Sequence, residues 1–200
     1  MKNIEEFFLD IDHHWRSEDR DKIRLPIIGS SALLLQTDYD RGTKDSDVLE
    51  TDVLSGETGK RLLRLAGKGT DLHTKHRVYL DIVVNALPFL PRPPHFHASP
   101  LSDKLKHFDV QVLDIADVAV SKLTRFNAND AGDIRAMAEM GLIKHRILID
   151  RFRKAVDGYE MDARAEDLPK YIRNLHTVER DFLRVPETKI DLPGWLEERL

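Results

Sequence analysis

Three aspartates are the residues of this chain whose spacing most clearly predicts chemistry. Asp45 and Asp47 flank Ser46 in the run RGTKDSDVLE, and Asp81 interrupts the strand-like run VYLDIVV. Alternate side chains of a strand share a face, so an extended Asp-x-Asp presents both carboxylates to one side. Two like charges so close repel each other unless a cation lies between them. The pattern therefore predicts a divalent metal site, with a third carboxylate supplied by a neighbouring strand.

Short strands must position these carboxylates. Apolar runs predict strands at 24–28, 44–50, 77–85 and 110–113, and in the second of them Ser46 and Val48 face away from the aspartates. Helical spacing predicts helices at 3–15 and 58–66, and Ser30 or Ser31 is expected to cap another through Leu35. Residues 88–100 contain five prolines and predict a long loop.

The pattern changes after residue 113. Strands give way to helical patterns at 115–126, 131–140, 144–156 and 168–183. This order predicts an α+β fold, with a small mixed sheet, flanking helices and a C-terminal helical bundle. The predicted division is a core at 1–113 and a helical region at 114–200 that packs on it.

Composition narrows the class of protein. Hydrophobic residues make up 41% and charged residues 33%, which is typical of a folded globular chain. The absence of cysteine excludes disulfides, thiolate zinc sites and cysteine nucleophiles. Neither a signal peptide nor a membrane-length apolar run is visible, so we expect a cytoplasmic protein without a membrane partner. A net charge of −4 without a basic block argues against a dedicated RNA-binding scaffold.

The core motif resembles a known superfamily. Gly29 and Ser30 close the apolar run LPIIGS, and fourteen residues separate them from Asp45-x-Asp47. This arrangement resembles the DNA polymerase β-like nucleotidyltransferases. Ser46 departs from their pattern, which has a hydrophobic residue at that position.

A second motif lies in the helical region. Lys122-Leu123 with Arg125, followed by Asp130 and Asp133, is similar to the helical motif of the abortive-infection type nucleotidyltransferases, which include toxins of bacterial toxin–antitoxin pairs. Together the two motifs span roughly residues 24–140. Residues 141–200 match no functional pattern.

The resemblance implies an activity, namely transfer of a nucleoside monophosphate from an NTP to a hydroxyl on RNA, protein or a small molecule. It implies Mg²⁺ (or Mn²⁺) as the cofactor, an NTP donor, a tRNA or protein acceptor, and a cognate antitoxin as a partner. The implied catalytic and metal-binding residues are Asp45, Asp47 and Asp81, and the implied nucleotide-binding residues are Gly29, Ser30, Lys122 and Arg125.

Simpler interpretations stay open for each motif. The chain is either an enzyme or a degenerate nucleotidyltransferase-fold binding module. Asp81 alternatively faces solvent on an edge strand, and Lys122 is alternatively a surface lysine. Asp130 is expected to cap a helix that begins at residue 131. The histidines lack a zinc-binding spacing and are expected to be exposed.

Overall fold

A computed structural model describes residues 2–16, 21–159 and 162–191 of the 200-residue chain. The chain forms two compact units, one comprising Met1–Pro88 and Phe96–Asp114 (unit 1) and the other Phe89–His95 and Ile115–Leu200 (unit 2). Residues 192–200 of the predicted helical region lie outside the described residues.

Unit 1 is built on a mixed five-stranded sheet. Its strands are β1 (Ile23–Ile27), β2 (Asp45–Leu49), β3 (Tyr79–Val83), β4 (Phe96–Ala98) and β5 (Phe108–Leu113). Their order is β3-β2-β1-β5-β4, with β1 parallel to β5, β2 parallel to β3, and the other two pairs antiparallel. The α+β fold class is therefore confirmed.

Helices cover the sheet of unit 1 with apolar side chains. They are α1 (Asn3–His14), α2 (Gly29–Gln36), α3 (Glu57–Ala66) and α4 (Asp71–His76). In α1 the helical spacing of the apolar residues buries Ile4, Phe7, Phe8 and Ile11 on one side. Five consecutive residues of α2, from Ser31 to Leu35, are buried, so this helix lies inside the unit.

Unit 2 is helical. It contains α5 (Ile115–Lys122), α6 (Ala128–Glu139), α7 (His145–Asp157) and α8 (Leu168–Thr177), which continues into a π-helical segment over Val178–Leu183. A buried ion pair ties the segment Phe89–His95 to these helices. The Arg151 guanidinium donates to both oxygens of Asp117, at 2.5 and 2.6 Å, and to the carbonyl of Pro93 at 2.8 Å.

Three local predictions need correction. The predicted loop contains β4, which pairs antiparallel with β5 at the edge of the sheet. Helix α4 was not predicted. Helix α6 begins at Ala128 rather than at residue 131, and its cap is Asn127, whose side chain accepts from the N–H of Asp130 at 3.0 Å. These elements are three to twelve residues long. Strand pairing and helix capping determine where they form and begin more than hydrophobic periodicity does.

Among the described helices, none combines the length and apolar character that crossing a membrane requires.

Candidate active site

The register of β2 and β3 brings the three aspartates to one face of the sheet. Asp47 lies opposite Asp81, and Asp45 lies opposite Tyr79. Because alternate residues of a strand share a face, Asp45, Asp47, Asp81 and Tyr79 all lie on the same side. Ser46 and Val48 are buried on the other side, as their alternation predicts. Strand β3 is an edge strand, and Asp81 is exposed on it.

Gly29 lies directly beside Asp47. It has a φ of +65°, a conformation that glycine adopts without a steric penalty. A Cβ atom added at Gly29 would lie 3.2 Å from Oδ2 of Asp47. The glycine therefore allows the turn and also leaves room for the carboxylate.

Backbone contacts hold the start of β2 against the start of α2. The hydroxyls of Ser31 and Thr43 donate to the carbonyl of Asp45, at 3.1 and 2.9 Å. The N–H of Ile28 donates to the carbonyl of Asp47 at 2.9 Å. These bonds hold the main chain of both aspartates in place.

Arg41 is a residue of the site that sequence reasoning missed. Its Nη2 donates to the hydroxyl of Ser30 at 2.6 Å, and its Nη1 donates to the carbonyl of Gly42 at 2.9 Å. A guanidinium therefore lies at the N-terminus of α2. The N-cap position of that helix is Ile28, whose side chain has no acceptor for the first N–H groups. An anion at this helix end would meet both the helix N–H groups and a positive charge.

Sequence reasoning also missed Tyr79. What identifies it as a residue of the site is its position opposite Asp45, and that register is known only once β3 is paired with β2. Burial first, and then the negative charges of Asp45, Asp81 and Asp47, raise the pKa of the Tyr79 phenol above its ordinary value. The phenol is therefore neutral at physiological pH. All three carboxylates are close enough to act on this one ring.

The donor set suits a hard divalent cation, since carboxylate oxygens are the ligands that Mg²⁺ and Mn²⁺ prefer. Within the described part of the chain, however, no three histidine, aspartate or glutamate side chains already enclose a metal position. Oδ1 of Asp81 accepts from the N–H of Ile82 at 2.9 Å, so its own strand engages one oxygen of this carboxylate. The other oxygen of Asp81 lies outside that bond.

Ser46, which separates the two aspartates, has a buried hydroxyl. It is 0% exposed, and its Oγ finds no hydrogen-bond partner among the described residues. A buried polar atom without a partner costs folding free energy, because it loses its bonds to water. This cost falls at the position where the family pattern has a hydrophobic residue.

Replacing Ser46 by Ala should therefore stabilise the protein by about 1 kcal/mol in urea or thermal unfolding. Ser102 provides the matched control, because its buried hydroxyl donates to the carbonyl of Val110 and accepts from the N–H of the same residue, at 2.9 and 2.8 Å. Ser102→Ala should destabilise. If both variants lose stability, the buried hydroxyl of Ser46 does not destabilise the fold.

Lys122 and Arg125 have partners within unit 2. The Lys122 amine lies 3.1 Å from Asp130 and 2.8 Å from Asp133, and Arg125 Nε lies 2.8 Å from Asp130. The Lys122 side chain is only 5% exposed, so its interpretation as a surface lysine is wrong. Binding of phosphate by Lys122 and Arg125, which the resemblance implies, stays a prediction.

The expected exposure of the histidines also needs correction. His76 is buried, and its Nε2 lies 2.6 Å from the carboxylate of Asp10. Hydrogen bonds from Lys75 and His76 lower the pKa of Asp10. This histidine therefore has a structural role between α4 and α1.

Comparison with known families gives one match. A family model with the description "Nucleotidyltransferase of unknown function (DUF6036)" matches residues 6–178, which include all the residues of the site described above. No curated protein and no solved structure matches the chain.

Proposed function

The chain belongs to this nucleotidyltransferase family, and we propose that it moves a nucleoside monophosphate from an NTP to a hydroxyl acceptor in a reaction that requires Mg²⁺ or Mn²⁺. One observation carries the proposal. Three carboxylates share a sheet face, and one of them, Asp47, lies against the glycine turn at the uncapped start of a helix. Acidic residues beside an anion-binding turn are the combination that a metal–triphosphate complex needs.

The triphosphate would bind at the turn. The positive φ of Gly29 opens the main chain, and the first N–H groups of α2 donate to phosphate oxygens. Arg41, already on the hydroxyl of Ser30, would add a second donor group and a full positive charge.

Asp45 and Asp47 would hold the cation, together with the oxygen of Asp81 that does not accept from the N–H of Ile82. When bound, Mg²⁺ neutralises charge on the phosphates and on the departing pyrophosphate. In the transfer itself the acceptor oxygen bonds to the α-phosphorus, and the bond from that phosphorus to the bridging oxygen breaks. Pyrophosphate leaves with that electron pair, and the acceptor proton passes to Asp81, the carboxylate on the outer strand.

The experiment is a pyrophosphate-release assay with each of the four NTPs, Mg²⁺ and whole-cell RNA or protein as acceptor. Radiolabel from the α-phosphate shows which acceptor is modified. A transferase releases pyrophosphate and labels an acceptor, whereas a binding module holds the NTP and does neither. A cognate antitoxin and a role as a toxin rest on the resemblance of the helical motif and would be tested by co-expression.

Gly29→Ala should weaken the binding of a nonhydrolysable NTP by about ten-fold or more, because the new Cβ strains a left-handed residue and crowds Asp47. Calorimetric titration measures this affinity. Gly141 has a φ of +69° and an open environment, so Gly141→Ala carries similar strain and serves as the control. If Gly29→Ala binds the NTP as wild type does, the turn does not hold the phosphates.

A further inference from the structure

The strand order distinguishes two sides of the carboxylate face. Strand β2 carries Asp45 and Asp47 and lies between β1 and β3. Helix α2 begins directly after β1, so the phosphate turn lies on the β1 side. An in-line displacement brings the incoming hydroxyl from the side opposite the leaving pyrophosphate. The acceptor would therefore lie over β3.

Strand β3 and the segment 68–76 before it place an aromatic and cationic group on that side. Tyr79 lies opposite Asp45 and two residues before Asp81. The ring of His73 packs edge-on against the Tyr79 ring, at 5.2 Å between centroids and an angle of 81°. The amine of Lys68 lies 5.9 Å from the centroid of the same ring.

A hydrogen bond from the main chain of Gly69 holds the His73 ring in place. The N–H of Gly69 donates to Nδ1 at 3.0 Å, so Nε2 carries the proton when the imidazole is neutral. This contact and the helix α4 fix the imidazole against Tyr79, and the aromatic pair is formed before any ligand binds.

Further positive charge lies next to this group. Arg77 precedes Tyr79 by two residues and is exposed, and the described part of the chain forms no ion pair with its side chain. Lys68 places a cation against the Tyr79 ring, on a sheet face that also carries three carboxylates. A cation beside an aromatic ring favours a ligand that is both flat and anionic.

We propose that Tyr79, with His73 and Lys68, forms the acceptor subsite, and that the acceptor is a nucleotide unit whose base stacks on Tyr79 while its phosphate meets the lysine. This inference rests on the proposed function. The unit is either a free nucleotide or the end of a single-stranded RNA, which share this chemistry.

The test measures acceptor binding apart from activity. Fluorescence anisotropy with a labelled single-stranded RNA oligonucleotide gives the affinity for RNA. Competition by a mononucleotide gives the affinity for a free nucleotide. Tyr79→Leu should lower the affinity for the preferred one about ten-fold or more, since a stacked base contributes strongly to binding. Tyr79→Phe should retain most of it, and Lys68→Gln should weaken binding and reduce its salt dependence. Lys75→Gln on α4 is the control, because Lys75 pairs with Asp10.

Unchanged affinity for both nucleotide probes in Tyr79→Leu would overturn the inference and leave the proposed function intact. Radiolabel on protein, but not on nucleotide or RNA, would do the same. Loss of NTP affinity in Tyr79→Leu would assign the Tyr79 ring to the NTP site, and this result would also overturn the inference. If the wild type neither binds NTP nor releases pyrophosphate, the proposed function fails, and the nucleotide affinity of the Tyr79 variants still shows whether the subsite exists.

Discussion

Asp47→Asn should lower the rate of nucleotide transfer about a thousand-fold while the protein stays folded. Asp47 lies opposite Asp81 and against Gly29, so it is the carboxylate that joins the turn at Gly29 to the acidic face. An amide of the same shape keeps the packing but supplies no negative charge for the cation. Steady-state pyrophosphate release at saturating NTP measures the loss.

The matched control is Asp52→Asn, which makes the same chemical change at an exposed position beyond the end of β2. Its rate should equal that of wild type. In the absence of metal, Asp47→Asn should melt at the same temperature as wild type or slightly above it, because one like charge leaves an acidic face. Wild-type turnover in Asp47→Asn would remove the carboxylate site from the proposed function.

Lys122→Ala should destabilise the protein by about 3–5 kcal/mol, because it removes a cation from two buried carboxylates, Asp130 and Asp133, and Arg125 remains only beside Asp130. Asp130 is 1% exposed and Asp133 is fully buried, so water does not compensate for the missing amine. Lys154→Ala is the control, since Lys154 pairs with Asp150 at an exposed site on α7 and should cost less than about 1 kcal/mol. Urea unfolding measures both variants.

The same cluster predicts a dependence on pH. Burial raises the pKa of Asp130, but Arg125 and Lys122 outweigh that effect, and the net pKa is below its ordinary value. A depressed carboxylate pKa stabilises the fold above the unfolded-state pKa, and the contribution disappears as the pH falls through the folded-state value. Stability should thus fall in acid for wild type and fall less steeply for Lys122→Ala. Equal stability of Lys122→Ala and Lys154→Ala at neutral pH would contradict the buried ion-pair account.

Lys122→Ala is a poor test of whether Lys122 contacts phosphate. Because loss of the amine is expected to weaken the fold of unit 2, a fall in turnover in Lys122→Ala would not by itself identify a ligand contact. Arg125 offers a cleaner test, since its side chain is 72% exposed. Removing its guanidinium leaves Lys122 in place to neutralise Asp130.

The sequence by itself determined the local features of the site. Alternation along β2 put Asp45 and Asp47 on one face and Ser46 and Val48 on the other, because side-chain direction in a strand has a period of two residues. Helical spacing identified the helical character of the region after residue 114 for the same local reason. The motif around Gly29 and Asp45, together with the helical motif around Lys122, was enough to indicate a nucleotidyltransferase.

Only the tertiary structure decided which residues meet across the chain. The pairing of Asp47 with Asp81, and of Asp45 with Tyr79, requires that β3 lie beside β2 in one register. The short edge strand β4 forms through its pairing with β5, and its own sequence carries no strand pattern. The burial of Lys122 likewise depends on carboxylates that lie one helix further along the chain. Register, edge pairing and buried charge pairs all depend on contacts between distant residues, and neither periodicity nor propensity reports such contacts.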